Sequence, residues 1–191
     1  MHKGLAMQNH DISIPHTPSL HRVMIGFGGN EGQPTETFAR CLERLHPVLS
    51  DVCVSHFYET EPHYDKPGSR VPETKASNYI NAVFTGTTAL SAKAFLAHLL
   101  ATETALGRKR PDAPCAPRPV DLDLLLYDDL ILKEDGIVVP HPRMHLRNFV
   151  LVPACEIAPD WRHPELGLEL QALLEACPDR LSIAKRDISR A

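Results

Sequence analysis

Val120-Asp121-Leu122-Asp123-Leu124-Leu125-Leu126-Tyr127 opens by alternating charge and hydrocarbon with the two-residue period of a β-strand. Successive strand side chains point to opposite faces, so Asp121 and Asp123 share one face, about 6.6 Å apart along the chain. Leu122 and Leu124 point the other way, into a core. Two carboxylates side by side suit a pair of magnesium ions, hard cations that complete their shell with water and phosphate oxygens. The polar face of an edge strand has the same pattern.

Upstream, Arg108 to Pro119 holds four prolines in twelve residues and reads as an irregular loop. Arg108, Lys109, Arg110 and Arg118 outnumber the single Asp112 there. Guanidinium groups stay charged and grip phosphate oxygens in pairs. A solvated charged loop explains the arginines alone; arginines next to paired aspartates favour nucleotide chemistry. No G-x-x-x-x-G-K-[ST] run is present, so a P-loop does not cradle the phosphates. Gly26-Phe27-Gly28-Gly29-Asn30-Glu31 is not a dinucleotide fingerprint, because Glu31 stands in the last glycine position.

Further out, the pattern predicts a strand over His21 to Phe27, a helix from Pro34 to about Leu49 and a strand over Val52 to Tyr58. An aperiodic loop from Glu61 to Ser77 comes next, long enough to suggest function. Asn78 to Thr88 reads as strand, and Ser91 caps a helix that Gly107 stops. Leu130–Leu132 and Ile137–Val139 flank a turn at Glu134-Asp135-Gly136, and helices are expected near Asn148–Ile157 and Leu168–Ala176. The order is β-α-β-β-α-β with C-terminal helical additions. It matches an α+β ferredoxin-like sandwich, an antiparallel sheet with helices packed on one face.

The bulk numbers fit one soluble domain. The chain has 191 residues, 43% hydrophobic and 23% charged, with a formal net charge of −4, which argues against a nucleic-acid or membrane-surface binder. Five scattered cysteines without a C-x-x-C pair argue against disulfides or structural zinc. There is no secretory h-region and no apolar run of bilayer length. A flexible extension over residues 1–20, a single domain over 21–191, a monomer and a cytoplasmic setting are the expectations. His141 and His145, four apart, lack further ligands for a transition metal, and His141 and Arg147 fit phosphate or adenosine contacts better. Tyr79 and Asn81 share a strand face; an amide there suits a heterocycle edge, but a turn asparagine beside a packed tyrosine explains the pair better on local grounds.

Six motifs occur in order: Ile25-Gly26-Phe27-Gly28-Gly29-Asn30, Phe57-Tyr58-Glu59-Thr60-Glu61-Pro62, Asn78-Tyr79-Ile80-Asn81-Ala82, Gly107-Arg108-Lys109-Arg110, Pro117-Arg118-Pro119-Val120-Asp121-Leu122-Asp123 and Pro140-His141-Pro142-Arg143-Met144. From about Val23 to Pro178 the chain resembles the 6-hydroxymethyl-7,8-dihydropterin pyrophosphokinases. The resemblance implies transfer of the β,γ-pyrophosphate of ATP to the pterin hydroxymethyl, with AMP released, two magnesium ions, and a place in folate biosynthesis. It implies that Asp121 and Asp123 bind metal, with Asp121 also near the reacting hydroxyl. Arg108, Arg110 and Arg118 would engage the ATP phosphates, His141 and Arg147 would complete the nucleotide site, and Glu103 would border it. Thr60, Pro62, Tyr79, Asn81 and Phe149 would form the pterin pocket.

The chain departs from the family pattern at Gly29 in place of serine, at Pro119 in place of threonine, and at Pro114-Cys115-Ala116 in place of a tryptophan-glycine pair. The loop from His63 to Ser77 is also longer than usual. Two other readings remain: a non-catalytic module that binds nucleotide or RNA, and an inactive relative that binds ATP without releasing AMP.

Overall fold

The computed structural model describes residues 19–62, 77–109 and 117–186. Most of the expected extension, most of the loop after Glu61, Arg110 and Cys115 lie outside the described residues. One antiparallel sheet organises the chain. Strand β1 (His21–Gly29) lies between β4 (Tyr79–Thr88), the central strand, with which it pairs along its length, and β5 (Asp121–Tyr127) at the edge. Helix α1 (Pro34–Leu45) leads from β1 to β2 (Ser50–Val54) and β3 (Phe57–Thr60), which both pair with β4. Helix α2 (Ala92–Ala105) leads from β4 to β5. With β2 and β3 counted as one broken strand, this is the ferredoxin-like order.

Alternation along β1 divides the apolar residues between two cores. Val23, Ile25 and Phe27 face α1 and α2, where Phe38, Cys41, Phe95 and Leu99 are buried. Phe38 meets the rings of Phe27, Phe57 and Phe84 edge-on at 5.0, 5.2 and 5.6 Å, tying α1 to three strands. Each such pair contributes about 1 kcal/mol beyond the area it buries. Met24 faces the other way, onto the 3₁₀ turn Met144–Leu146, α3 (Asn148–Ile157) and α4 (Leu170–Ala176). The first two helices therefore take one face of the sheet, and the C-terminal additions cover the other.

Several elements differ from the sequence expectation. Helix α1 stops at Leu45 and not Leu49, because Pro47 has no amide to carry the helical hydrogen bonds onward. Leu49 is buried all the same. A Cβ at Gly86 would stand 2.7 Å from Leu49 Cδ1, so the glycine lets Leu49 lie on β4. The expected strand over Val52 to Tyr58 breaks into β2 and β3 at Ser55, whose hydroxyl accepts the Val83 amide at 3.0 Å in place of a regular ladder bond. The hairpin pairs β6 (Leu132–Glu134) with β7 (Ile137–Val139) around Gly136, whose φ is +82°. Finally, β8 (Ile183–Arg186) adds an unanticipated edge strand beside β3.

A bulge in β5 draws a later segment toward the acidic end of that strand. Ile25 pairs with Leu124 and Met24 with Leu126, leaving Leu125 as an extra residue. Leu125 and Leu126 consequently both enter the second core. The Leu125 carbonyl accepts the His141 amide at 2.9 Å, which brings the segment after β7 alongside the strand.

Glu156 of α3 ties the edge together. Its carboxylate accepts from the His56 amide, the His56 ring, the Tyr58 hydroxyl and Lys185 of β8. Partial burial pushes its pKa up, but these hydrogen bonds outweigh burial and hold it down to about 2, against an ordinary 4.5. A depressed carboxylate stabilises the fold fully above its unfolded pKa, and the contribution fades as pH falls toward the folded value. Glu156→Gln is thus expected to unfold at lower urea than the native chain at pH 7. The gap should close between about pH 4.5 and pH 2, and a gap independent of pH would contradict the assignment.

Candidate active site

Asp121 and Asp123 stand where the sheet has no side chains opposite them. Their partners on β1 are Gly28 and Gly26, so the two carboxyls rise from an open floor. Leu122 between them is buried in the α1/α2 core, as alternation requires.

Two arginines close on Asp121 from different elements. Gly107, with φ +98°, ends α2, and the Arg108 amide turns back to the Glu103 carbonyl at 3.0 Å. The Arg108 guanidinium then bonds both Glu103, at 2.7 Å, and Asp121 Oδ1. Arg118 reaches Asp121 Oδ2 at 2.7 Å. Its own backbone is held by Asn30: the Asn30 amide donates to the Arg118 carbonyl at 3.1 Å, and Asn30 Oδ1 accepts the Arg118 amide at 2.9 Å. This exchange needs β1 to end hard against the loop. A Cβ at Gly29 would stand 2.7 Å from the Pro119 carbonyl, so glycine at 29 fits the path taken at Pro119.

Glu103, expected at the border of a nucleotide site, is instead 1% exposed behind it. Its Oε1 accepts the Leu122 amide at 2.7 Å as well as Arg108. It supports the site and does not line it.

Asp123 lies on the other side of the floor. Burial in the cleft, then the neighbouring Asp121 charge, push its carboxyl up to about 6. His141 Nε2 lies 4.0 Å from Asp123 Oδ2. His141 Nδ1 accepts the Arg143 amide at 3.3 Å, which leaves the ring proton on Nε2, toward Asp123. Burial, Arg147 and Arg143 hold the His141 pKa down to about 4, so the imidazole is neutral at pH 7.

The cleft continues into a second, less charged half. Asn81, 5% exposed, donates Nδ2 to the Thr60 hydroxyl at 2.9 Å, with Thr60 itself 4% exposed. Pro62, Tyr79, Arg147 and Phe149 line the same cavity as Thr60, Asn81, Arg118, Asp121 and Asp123. The Arg147 guanidinium lies 5.5 Å from the centre of the Phe149 ring. The cavity thus joins a flat, amide-edged compartment to a doubly acidic floor walled by arginine. Among the described residues no group of three or more His, Cys, Asp or Glu side chains forms a metal cage. Two neighbouring carboxylates instead fit a cation that would share its shell with phosphate and water.

Of the residues singled out from sequence, Arg108 and His141 are not among those lining this cavity, Arg108 instead lines a neighbouring one with Arg118, Glu103 is buried, and Arg110 lies outside the described residues. Sequence reading missed three contributors. Asn30, Gly26 and Gly28 appeared only as parts of a motif. Their signal was register: the two glycines face the two aspartates across β1 and β5, and Asn30 comes directly after β1.

Residues 24–159 match the family described as 7,8-dihydro-6-hydroxymethylpterin-pyrophosphokinase. The chain belongs to this family. It is 36% identical over 155 residues to the 2-amino-4-hydroxy-6-hydroxymethyldihydropteridine pyrophosphokinase of Synechocystis sp., covering 81% of this chain and 75% of that protein. The Pseudomonas aeruginosa protein of the same name is 36% identical over 164 residues, 83% of this chain and 93% of its own. A crystal structure of Plasmodium falciparum HPPK-DHPS superposes with a TM-score of 0.64 at 12% identity, a likeness of fold. That match covers 84% of this chain and 44% of the Plasmodium chain. The reaction is pyrophosphoryl transfer from ATP to a hydroxymethyldihydropterin, in folate biosynthesis.

Glu103 gives the site a sharp test. Removing it leaves the buried Leu122 amide without its acceptor and takes one of two carboxylate partners from the Arg108 guanidinium, which keeps Asp121, a loss of about 1–3 kcal/mol. Glu103→Ala should lower stability by about that amount in urea titration, with Glu103→Gln losing less because it keeps an acceptor. An unchanged midpoint for Glu103→Ala would contradict the supporting role.

Proposed function

We propose that the two halves of the cleft divide the substrates, with ATP phosphates over Asp121 and Asp123 and the pterin between Asn81 and Phe149. The observation that carries this reading is the clasp of Asp121 by Arg108 and Arg118 at the mouth of an amide-and-aromatic compartment. Asp121 and Asp123 would hold two magnesium ions. Bound there, magnesium supplies charge neutralisation to the phosphates. Arg108, Arg110 and Arg118 grip phosphate oxygens and offset the charge that builds on the AMP leaving group. His141, neutral and with its proton on Nε2, donates a hydrogen bond without adding charge. Arg147 faces the cleft beside it and adds a fixed positive charge.

On the pterin side, Thr60 accepts one Asn81 amide proton and so fixes the amide's orientation, leaving Asn81 Oδ1 for the heterocycle edge. Phe149 supplies a stacking face. The hydroxymethyl oxygen then stands beside Asp121, in line with the β-phosphorus, and most of the catalysis comes from positioning. The enzyme acts as a monomer in the cytoplasm, with residues 21–191 as one domain.

The test is AMP formation from ATP, magnesium and 6-hydroxymethyl-7,8-dihydropterin. Asp123→Ala is expected to lower kcat by at least about 10²-fold, the scale of a lost electrostatic contact in a transition state. AMP formation by the variant at the native rate would remove Asp123 from the site. A native chain that binds ATP and forms no AMP would identify an inactive relative.

A further inference from the structure

Arg147 immediately precedes α3 and Phe149 is its second residue, so the start of this helix decides where both stand in the cleft. That start lacks a side-chain cap from the residue before it. Helices leave their first amides without internal partners, and an uncapped end frays. Here the missing acceptor comes from far along the chain. Asp179 Oδ2 accepts the Asn148 amide at 3.0 Å, and its Oδ1 accepts the Leu181 amide at 3.0 Å. Asn148 Nδ2 in turn donates to the Leu181 carbonyl at 2.7 Å, closing a ring of three hydrogen bonds.

From that ring the chain runs straight into β8. Ile183 pairs with Thr60 and Ala184 with Glu59, so the same short segment borders the strand that carries the opposite wall. Arg186 and Lys185 fasten it through Glu59 and Glu156. The segment from Asp179 to Arg186 therefore spans from the Phe149 side of the cleft to the Thr60 side.

We propose that Asp179 is a positioning residue for the reaction. It caps α3 from the C-terminal segment, fixes Arg147 and Phe149 relative to the strand carrying Thr60, and so sets the width of the heterocycle compartment. The role rests on that compartment being the pterin site. Asp179 itself need touch no substrate, and its carboxylate also complements the positive end of the helix.

The experiment measures KM for the pterin, kcat, affinity for magnesium-ATP and the thermal midpoint for the full chain, Asp179→Ala and Asp179→Asn. Loss of a cap of this kind corresponds to a change on the order of tenfold. Asp179→Ala is expected to raise the pterin KM by about that factor, with a smaller change in kcat. Magnesium-ATP affinity, to which Arg147 adds one positive charge beside Arg108 and Arg118, should change less than the pterin KM. Asp179→Asn keeps the acceptor and should recover most of the loss. An unchanged pterin KM in Asp179→Ala, beside an active native chain, would overturn the positioning role alone. So would parallel losses for both substrates that track the thermal midpoint and are not recovered by asparagine. A native chain that does not bind the pterin would overturn this role and the assignment of the compartment together.

Discussion

Glu103 is almost wholly out of water, and a single oxygen of its carboxylate receives both the Leu122 amide and the Arg108 guanidinium. A buried carboxylate is costly unless it is paired and hydrogen-bonded, so neither partner can leave without a large loss. The consequence is geometric. The last turns of α2, the first residues of β5 and the arginine after Gly107 are locked at one point. Asp121 is placed by that lock, since it precedes Leu122 in the chain and bonds the same guanidinium. The acidic floor of the cleft is thus built on a contact behind the sheet.

The arrangement also balances its own charges. Asp121 is satisfied by two arginines, one of them tethered by Asn30 and the other by Glu103. On the proposed reading, Asp121 would hold a metal ion, which would supply positive charge in place of the arginines, and the arginines would bind phosphate in place of Asp121. Each group then exchanges one charged partner for another and none is left buried alone. Asp123 lacks such a clasp. Its raised pKa reflects a carboxylate that burial and Asp121 disfavour in its charged form, which a divalent cation would relieve. The neutral His141 beside it fits the same economy, because a positive imidazole among Arg143 and Arg147 would be repelled.

Much of this was legible in the residues. The shared face of Asp121 and Asp123 and the β-α-β-β-α-β order come from two-residue and helical periods, whereas the grouping of Thr60, Tyr79, Asn81 and Phe149 in one compartment comes from the family resemblance. What was not legible depends on partners distant in sequence. The break at Ser55 arises because a hydroxyl stands in for a ladder bond to Val83. The bulge at Leu125 is invisible in a run of three leucines, since either face accepts a leucine. Strand β8 is four residues with one intermediate and three exposed positions, so no alternation announces it, and its identity comes from β3. Glu103 sits at a helix position where an acidic residue is ordinarily solvated, and only the arrival of Arg108 and β5 makes burial tolerable.

The most direct measurement is diffraction from crystals grown with manganese and a non-hydrolysable ATP analogue, using the anomalous signal to locate the metal. Expected is metal within coordination distance, about 2 Å, of carboxylate oxygens from both Asp121 and Asp123, with Arg108 and Arg118 turned onto phosphate oxygens. Metal held by the phosphates alone, with Asp121 still clasped by both arginines, would contradict a site in which the paired aspartates bind the cation.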